Sequence, residues 1–134
     1  MSLRAIPLLV IAFIFYNLVA MSFGIEGLNN AIFSTTLLSG GTWTFTWGDM
    51  ILLITLFLLF IEIVKSTFTS TSTLIDHALS MVVFIAILVE FLVVPQAATS
   101  VFFLVLVASL IDVIAGYTIG IRVARRDLNI GADQ

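Results

Sequence analysis

Four long apolar segments dominate this sequence and constrain its fold more than any other feature. They cover residues 6–23, 50–64, 78–94 and 99–121. A helix needs roughly 20 mostly apolar residues to cross about 30 Å of hydrocarbon. Charged residues make up only 10% of the chain, against roughly a quarter in a soluble domain. We therefore expect an all-α integral membrane protein, a single domain folded as an up-down bundle of four transmembrane helices.

The ends of these segments carry helix start and stop signals. The sequence from Thr73 to Asp76 resembles a capping box before the third helix, and Pro95 is expected to end that helix. Only the turn at residues 95–98 separates the last two helices, so they should be antiparallel neighbours. The first segment lacks a clean small-residue cleavage pattern, which favours a membrane span over a signal peptide.

All five basic residues of the chain fall on one side of this topology. The positive-inside rule then predicts that both termini lie in the cytoplasm, and a bacterial inner membrane is the expected location. These residues are interpreted as cytoplasmic anchors on anionic lipid, and they are too few to indicate nucleic-acid binding. Residues 128–134, at the end of the chain, are expected to be a disordered cytoplasmic tail. The five basic residues are Arg4, Lys65, Arg122, Arg125 and Arg126.

The loop at residues 24–47, on the other side, is itself apolar. After Gly40-Gly41, threonines alternate with aromatic residues from Thr42 to Trp47. This period of two predicts a short strand, paired with residues 32–38 in a β-hairpin. A segment lying in the membrane interface as an aromatic belt is the alternative, and a docking surface for a protein, lipid or glycan is a third. The aromatic residues concerned are Trp43, Phe45 and Trp47.

Asp112 is the most unusual residue inside an apolar segment, because a charged group near the bilayer centre costs about 2.5 to 3.5 kcal/mol on insertion scales. Ser109 precedes it by about one turn, and Gly116 and Gly120 follow it one and two turns later. The two glycines form a GxxxG pattern, which lets another helix approach closely. Asp112 is therefore expected to face protein.

Two roles for Asp112 follow from this position. In the structural interpretation, a neutral Asp112 bonds across to Asn17 or Thr55 inside the bundle. In the functional interpretation, Asp112 handles a proton or a cation.

Further polar residues lie near the ends of the spans. Glu90, in the outer half of the third span, is a second proton or ion candidate. Glu62 precedes Lys65 by three residues, a spacing that favours an ion pair on one helical face. His77 is expected at the surface.

The remaining composition excludes several classes of site. The chain has no cysteine and one histidine, so thiolate metal sites, disulfides and bis-histidine haem ligation are ruled out. We predict no cofactor, no metal and no catalytic constellation. The first functional hypothesis is a structural or accessory membrane subunit, or a homo-oligomer, acting through helix–helix contacts. The alternative is an oligomeric ion channel or a proton-coupled small transporter that uses Asp112.

Overall fold

The computed structural model describes residues 6–67 and 71–132, which are mostly helical with one small sheet. Four helices carry the chain back and forth, with two short 3₁₀ turns at Ile25–Asn29 and Pro95–Ala97. The helices are α1 Leu9–Phe23, α2 Trp47–Lys65, α3 Thr71–Val93 and α4 Ser100–Ala132. The strands are β1 Ala31–Thr36 and β2 Thr42–Thr46.

Three of the helices are long and apolar enough to cross a membrane. They are α2, the Ile75–Val93 part of α3 and the Ser100–Ile119 part of α4. The α1 helix is apolar as well but has only 15 residues, which corresponds to about 22 Å at 1.5 Å per residue. The expectation of a mostly helical protein is therefore confirmed, and three of its helices could span a membrane, whereas α1 is shorter than these three.

The helices alternate in direction, which gives the molecule two ends. At the hairpin end, Trp47 at the start of α2 packs against Phe15 of α1. At the Lys65 end, the last turn of α2 meets the first residues of α1. The α4 helix packs against both α2 and α3, and α1 packs against α2. In lipid such contacts depend on close packing and hydrogen bonds, because apolar surface gains little by leaving hydrocarbon.

Two buried apolar clusters hold the helices together. The larger one lies towards the hairpin end and the smaller one between α1, α2 and α4. Tyr16 anchors the larger cluster, because its hydroxyl lies 2.7 Å from the carbonyl oxygen of Gln96 and 2.7 Å from the hydroxyl oxygen of Thr99. Its ring packs on Phe102 at a centroid distance of 4.8 Å. This contact fixes the tight turn before α4 against α1.

The helix boundaries differ in part from those expected. The α3 helix begins at Thr71, so Thr73 and Asp76 lie inside the helix and not before its first residue. The helix can begin before Ala78 because residues 71–77 contain no proline or glycine. In this helical position Asp76 also forms an ion pair with Lys65. A capping box is present instead at α2, where Thr46 and Asp49 each accept a hydrogen bond from the other's backbone N–H.

The α4 helix also runs further than its apolar segment. It continues past Ile121 to Ala132, so part of the segment expected to be a disordered tail is helical, while residues 133–134 lie outside the described chain. Alanine, leucine and arginine are good helix formers, and no proline interrupts this stretch. With 33 residues, α4 is about 50 Å long, more than the hydrocarbon thickness.

The hairpin predicted from the Thr-aromatic alternation is confirmed. The two strands pair antiparallel, with Phe33 opposite Phe45 and Thr35 opposite Trp43. Gly40 has a φ of 89°, a left-handed conformation that closes the turn and that glycine adopts without strain. The period of two predicted this hairpin because alternate residues of a strand lie on the same face of the sheet.

Candidate functional site: a buried ionisable cluster

The buried ionisable residues gather at the Lys65 end of the bundle. We call this group the Lys65 cluster. Its carboxyl groups, its imidazole and its serine are all buried, although ionised groups are rarely placed where water is excluded. The residues of the cluster come from α2, α3 and α4, which are separate stretches of the sequence. Its members are Glu62, Lys65, Asp76, His77, Ser80 and Asp112.

Glu62 ties the start of the chain to α2. Its Oε1 accepts a hydrogen bond from the backbone N–H of Leu8 at 2.7 Å and lies 3.2 Å from Nζ of Lys65. The lysine also donates to the carbonyl oxygen of Ile6 at 3.2 Å. Because the first N–H groups of a helix have no partner within the helix, a carboxylate at this position satisfies a free donor and favours the positive end of the helix dipole. The predicted Glu62–Lys65 pair is therefore present and also holds α1.

Asp76 and His77 extend the cluster onto α3. The Oδ2 atom of Asp76 lies 3.6 Å from Nζ of Lys65, whereas its Oδ1 atom is buried without a hydrogen-bond partner. The Nε2 atom of His77 is likewise buried and unpartnered. The expectation that His77 lies at the surface is wrong, since its imidazole is 93% buried, with 7% of the residue exposed, against α4. Unpaired polar atoms in an apolar environment are costly, so they point to a role or to a bound water.

The imidazole of His77 fills the space left by Gly116. A Cβ atom at Gly116 would lie 2.9 Å from Nδ1 of His77, so no larger residue fits without movement of the ring. The ring of Tyr117 lies beside the imidazole, at a centroid distance of 5.3 Å. The small residue predicted as a helix-contact position is thus used inside the chain, between α3 and α4. The surroundings of Gly120 lie outside the described residues.

Asp112 is buried and belongs to the same cluster. Its carboxyl group lies near the Ser80 side chain on α3 and close enough to Glu62 and Asp76 to be affected by their charges. It does not bond to Asn17 or Thr55, the two partners considered from the sequence. The reason is the rotation of the helices about their axes, which turns Asp112 towards α3.

The two hydroxyl residues that share the middle of the bundle with Asp112 bond to their own helices. The hydroxyl of Thr55 donates to the carbonyl oxygen of Ile51 at 2.7 Å, and that of Ser109 donates to the carbonyl oxygen of Leu106 at 2.7 Å. This arrangement is common for buried hydroxyls in helices. Neither hydroxyl is left free to hold Asp112.

Asn17 and Glu90 form a second polar group nearer the hairpin end. The Asn17 side chain interacts with the Glu90 carboxyl, and its Nδ2 donates to the carbonyl oxygen of Phe13 at 2.9 Å. The Oε2 atom of Glu90 is buried without a partner. The two carboxyl groups proposed as ion candidates, Asp112 and Glu90, therefore lie in different polar groups at different depths.

The remaining predicted positions lie near the two ends. Phe45 is buried, whereas Trp43 and Trp47 are exposed in or beside the hairpin. Arg122 and Arg125 are exposed on α4 beyond its apolar part, and their role as membrane anchors stays a prediction. Arg4 and the surroundings of Arg126 lie outside the described residues.

Asp76 and His77 are the site residues that the sequence interpretation missed. Asp76 could have been found from the sequence, because it lies four residues before Ser80 at the start of an apolar helix. This spacing places both side chains on one helical face. Within residues 6–67 and 71–132, no three histidine, aspartate or glutamate side chains are arranged to hold a metal ion. Comparison of the chain with protein-family models, with curated proteins and with solved structures finds no match.

Proposed function

We propose that this chain is a membrane protein whose Lys65 cluster takes up and releases protons, as a proton-coupled small transporter or an oligomeric channel that uses Asp112. The observation that carries this proposal is the burial of three carboxyl groups from three helices, two of which lie 3.2 and 3.6 Å from the ammonium group of Lys65. Ionisable residues in apolar spans are expensive to insert and are typical of ion and proton pathways. Loss of reconstituted flux in an Asp112→Asn variant is the test.

Charge balance favours protons as the species handled. If Glu62, Asp76 and Asp112 were all ionised, Lys65 would neutralise one of three negative charges and leave two uncompensated. Such an excess is costly in a low-dielectric interior, so binding protons stabilises the cluster. The unpartnered Nε2 atom of His77 and Oδ1 atom of Asp76 supply further places for a proton or a water molecule.

An apolar layer separates the Lys65 cluster from the Glu90 group. It includes Ile87, which lies between Ser80 and Glu90 on α3 and is completely buried. Proton transfer between the two polar groups therefore requires water to enter this layer or the helices to move. In the proposed function, Glu90 with its free Oε2 atom is the outer group, and Asp112 is the inner one.

In the proposed topology the protein lies in a bacterial inner membrane, and both termini and the Lys65 end face the cytoplasm. Because the chain contains no cysteine, single introduced cysteines can report on each side. Glu26→Cys, before the hairpin, should react with a membrane-impermeant maleimide added to intact cells, whereas Thr67→Cys, after α2, should react only after the cells are opened. Both positions are exposed. Labelling of both cysteines in intact cells would contradict this topology.

A structural or accessory subunit, or a homo-oligomer, is the second candidate function. It is favoured by the internal bonding of Glu62, Thr55 and Ser109, because side chains that only hold helices together are expected to be satisfied within the chain. Purification in mild detergent should then recover a stoichiometric partner or a defined homo-oligomer. A dispersed monomer without a partner would count against this candidate.

A further inference from the structure

The β-hairpin has two chemically different faces. Phe33, Trp43 and Phe45 share one face, with ring centroids 5.1 to 5.7 Å apart. The other face carries hydroxyl groups, and those of Ser34 and Thr44 lie 3.0 Å apart across the strands. The strand pairing places these sets on opposite sides, since successive residues alternate between faces.

The hairpin is apolar where a water-facing hairpin is usually polar. No charged residue occurs between Glu26 and Asp49. The turn begins with Leu37 and Leu38, and Leu38 is fully exposed. Hairpin turns in water are dominated by glycine, asparagine, aspartate and serine, so two leucines at this position indicate apolar surroundings.

The hairpin is held at the level where α2 begins. The backbone N–H of Trp47 donates to the carbonyl oxygen of Asn30 at 3.1 Å, so the base of the hairpin is joined to the first residue of α2. The capping box at Thr46 and Asp49 fixes the direction in which the strand enters the helix. If α2 spans the bilayer, this junction lies at its surface. The α1 helix has only 15 residues, fewer than the roughly 20 of a full span. The chain between α1 and the hairpin can therefore lie within the bilayer, below the membrane surface.

We propose that this hairpin is a lipid-binding element that lies in the headgroup region of the outer leaflet. Phe33 and Trp43 on its aromatic face, which are exposed, and its leucine turn contact acyl chains, and its hydroxyl face contacts headgroups and water. Aromatic rings prefer this depth because they are apolar with a polar edge. The even segregation of the two faces and the absence of charge fit a planar interface between oil and water. A protein-docking surface would leave these side chains in water before its partner bound.

The two tryptophans of the chain make a direct test possible, because Trp47→Phe leaves Trp43 as the single fluorophore. This full-length variant is reconstituted into phosphatidylcholine vesicles with bromine atoms on the acyl chains close to the headgroups. We expect blue-shifted emission from Trp43 and loss of most of its fluorescence to the brominated lipid, with little quenching by acrylamide in the water. The Leu37→Ser/Leu38→Ser variant should weaken the bromine quenching, and the matched Thr42→Ser/Thr44→Ser variant on the hydroxyl face should not.

Two results would overturn the proposal. Quenching by acrylamide without quenching by brominated lipid would show that the hairpin stands in water. Protection from both quenchers would show that a second copy or another protein covers Trp43. The emission of Trp47 in the Trp43→Phe variant verifies that the protein is correctly inserted, because Trp47 packs on Phe15 within the bundle.

Discussion

Replacement of Asp112 by asparagine should reduce proton flux through reconstituted vesicles to the level of protein-free vesicles. The amide keeps the size of the side chain and its bonding to Ser80, but it cannot bind and release a proton. If Asp112 is the obligatory proton carrier, the loss of flux is complete, because the other carboxyl groups of the cluster lie on α2 and α3 and cannot replace it on α4. A pH-sensitive dye inside vesicles, under an imposed proton gradient or membrane potential, measures this flux.

The matched control is Glu26→Gln, which removes an exposed carboxyl group near the hairpin end and should leave the flux unchanged. Asp112→Glu, which keeps the titratable group, should retain part of the flux. A wild-type protein whose flux equals that of empty vesicles would exclude the transport proposal and leave the subunit role. Equal flux in wild type and Asp112→Asn would show that Asp112 is not the carrier.

Local patterns explain why much of the fold was predictable. Hydropathy depends on stretches of neighbouring residues, so the apolar helices could be located from composition and length alone. The hairpin followed from alternation over Thr42 to Thr46 and from the preceding glycines, because both the strand period and the turn conformation are local properties. Pro95 ends α3 for the same reason, and the structure places a 3₁₀ turn there.

The tight turn at residues 95–98 predicted that α3 and α4 are neighbours, and they pack together, but the side chains that meet between helices were not predictable from one sequence. The stripe of Ser109, Asp112 and Gly116 correctly indicated a protein-facing side of α4, but not which helix it faces. The choice of α3 depends on the rotation of each helix and on complementary shape, such as the fit of His77 over Gly116. Asp76 lies close to the end of an apolar segment, where an ionised side chain is usually hydrated. Its burial depends on Lys65, which is distant in the sequence and close in the fold.

The cluster has a further consequence for how the protein assembles. Asp112, near the middle of α4, would carry an insertion cost of about 2.5 to 3.5 kcal/mol if its helix were inserted alone. Glu62 and Lys65 meet within α2, but Asp76 and Asp112 reach compensating groups only after α3 and α4 have packed. The cluster therefore favours the complete bundle over partly assembled forms.

Replacement of Lys65 by methionine should cause the largest loss of stability among single substitutions in this cluster. The ammonium group is the cation that approaches both Glu62 and Asp76, at 3.2 and 3.6 Å. Removal of one partner from a buried ion pair typically costs about 3–5 kcal/mol, because it leaves a buried charge without compensation. The lysine side chain keeps 20% of its surface exposed, so we expect a smaller loss of about 2–4 kcal/mol in the free energy of unfolding.

Denaturation in mixed detergent micelles measures this loss, and a double variant identifies its cause. If uncompensated charge is responsible, Lys65→Met combined with Glu62→Gln should be more stable than Lys65→Met alone, because the amide still accepts the hydrogen bond from Leu8 without carrying a charge. The matched control is Arg122→Met, which removes an exposed cation from α4 and should change stability by less than about 0.5 kcal/mol. Equal losses of stability for Lys65→Met and Arg122→Met would contradict the idea that Lys65 compensates buried carboxylates. Removing the lysine would then have no greater effect than removing an exposed cation.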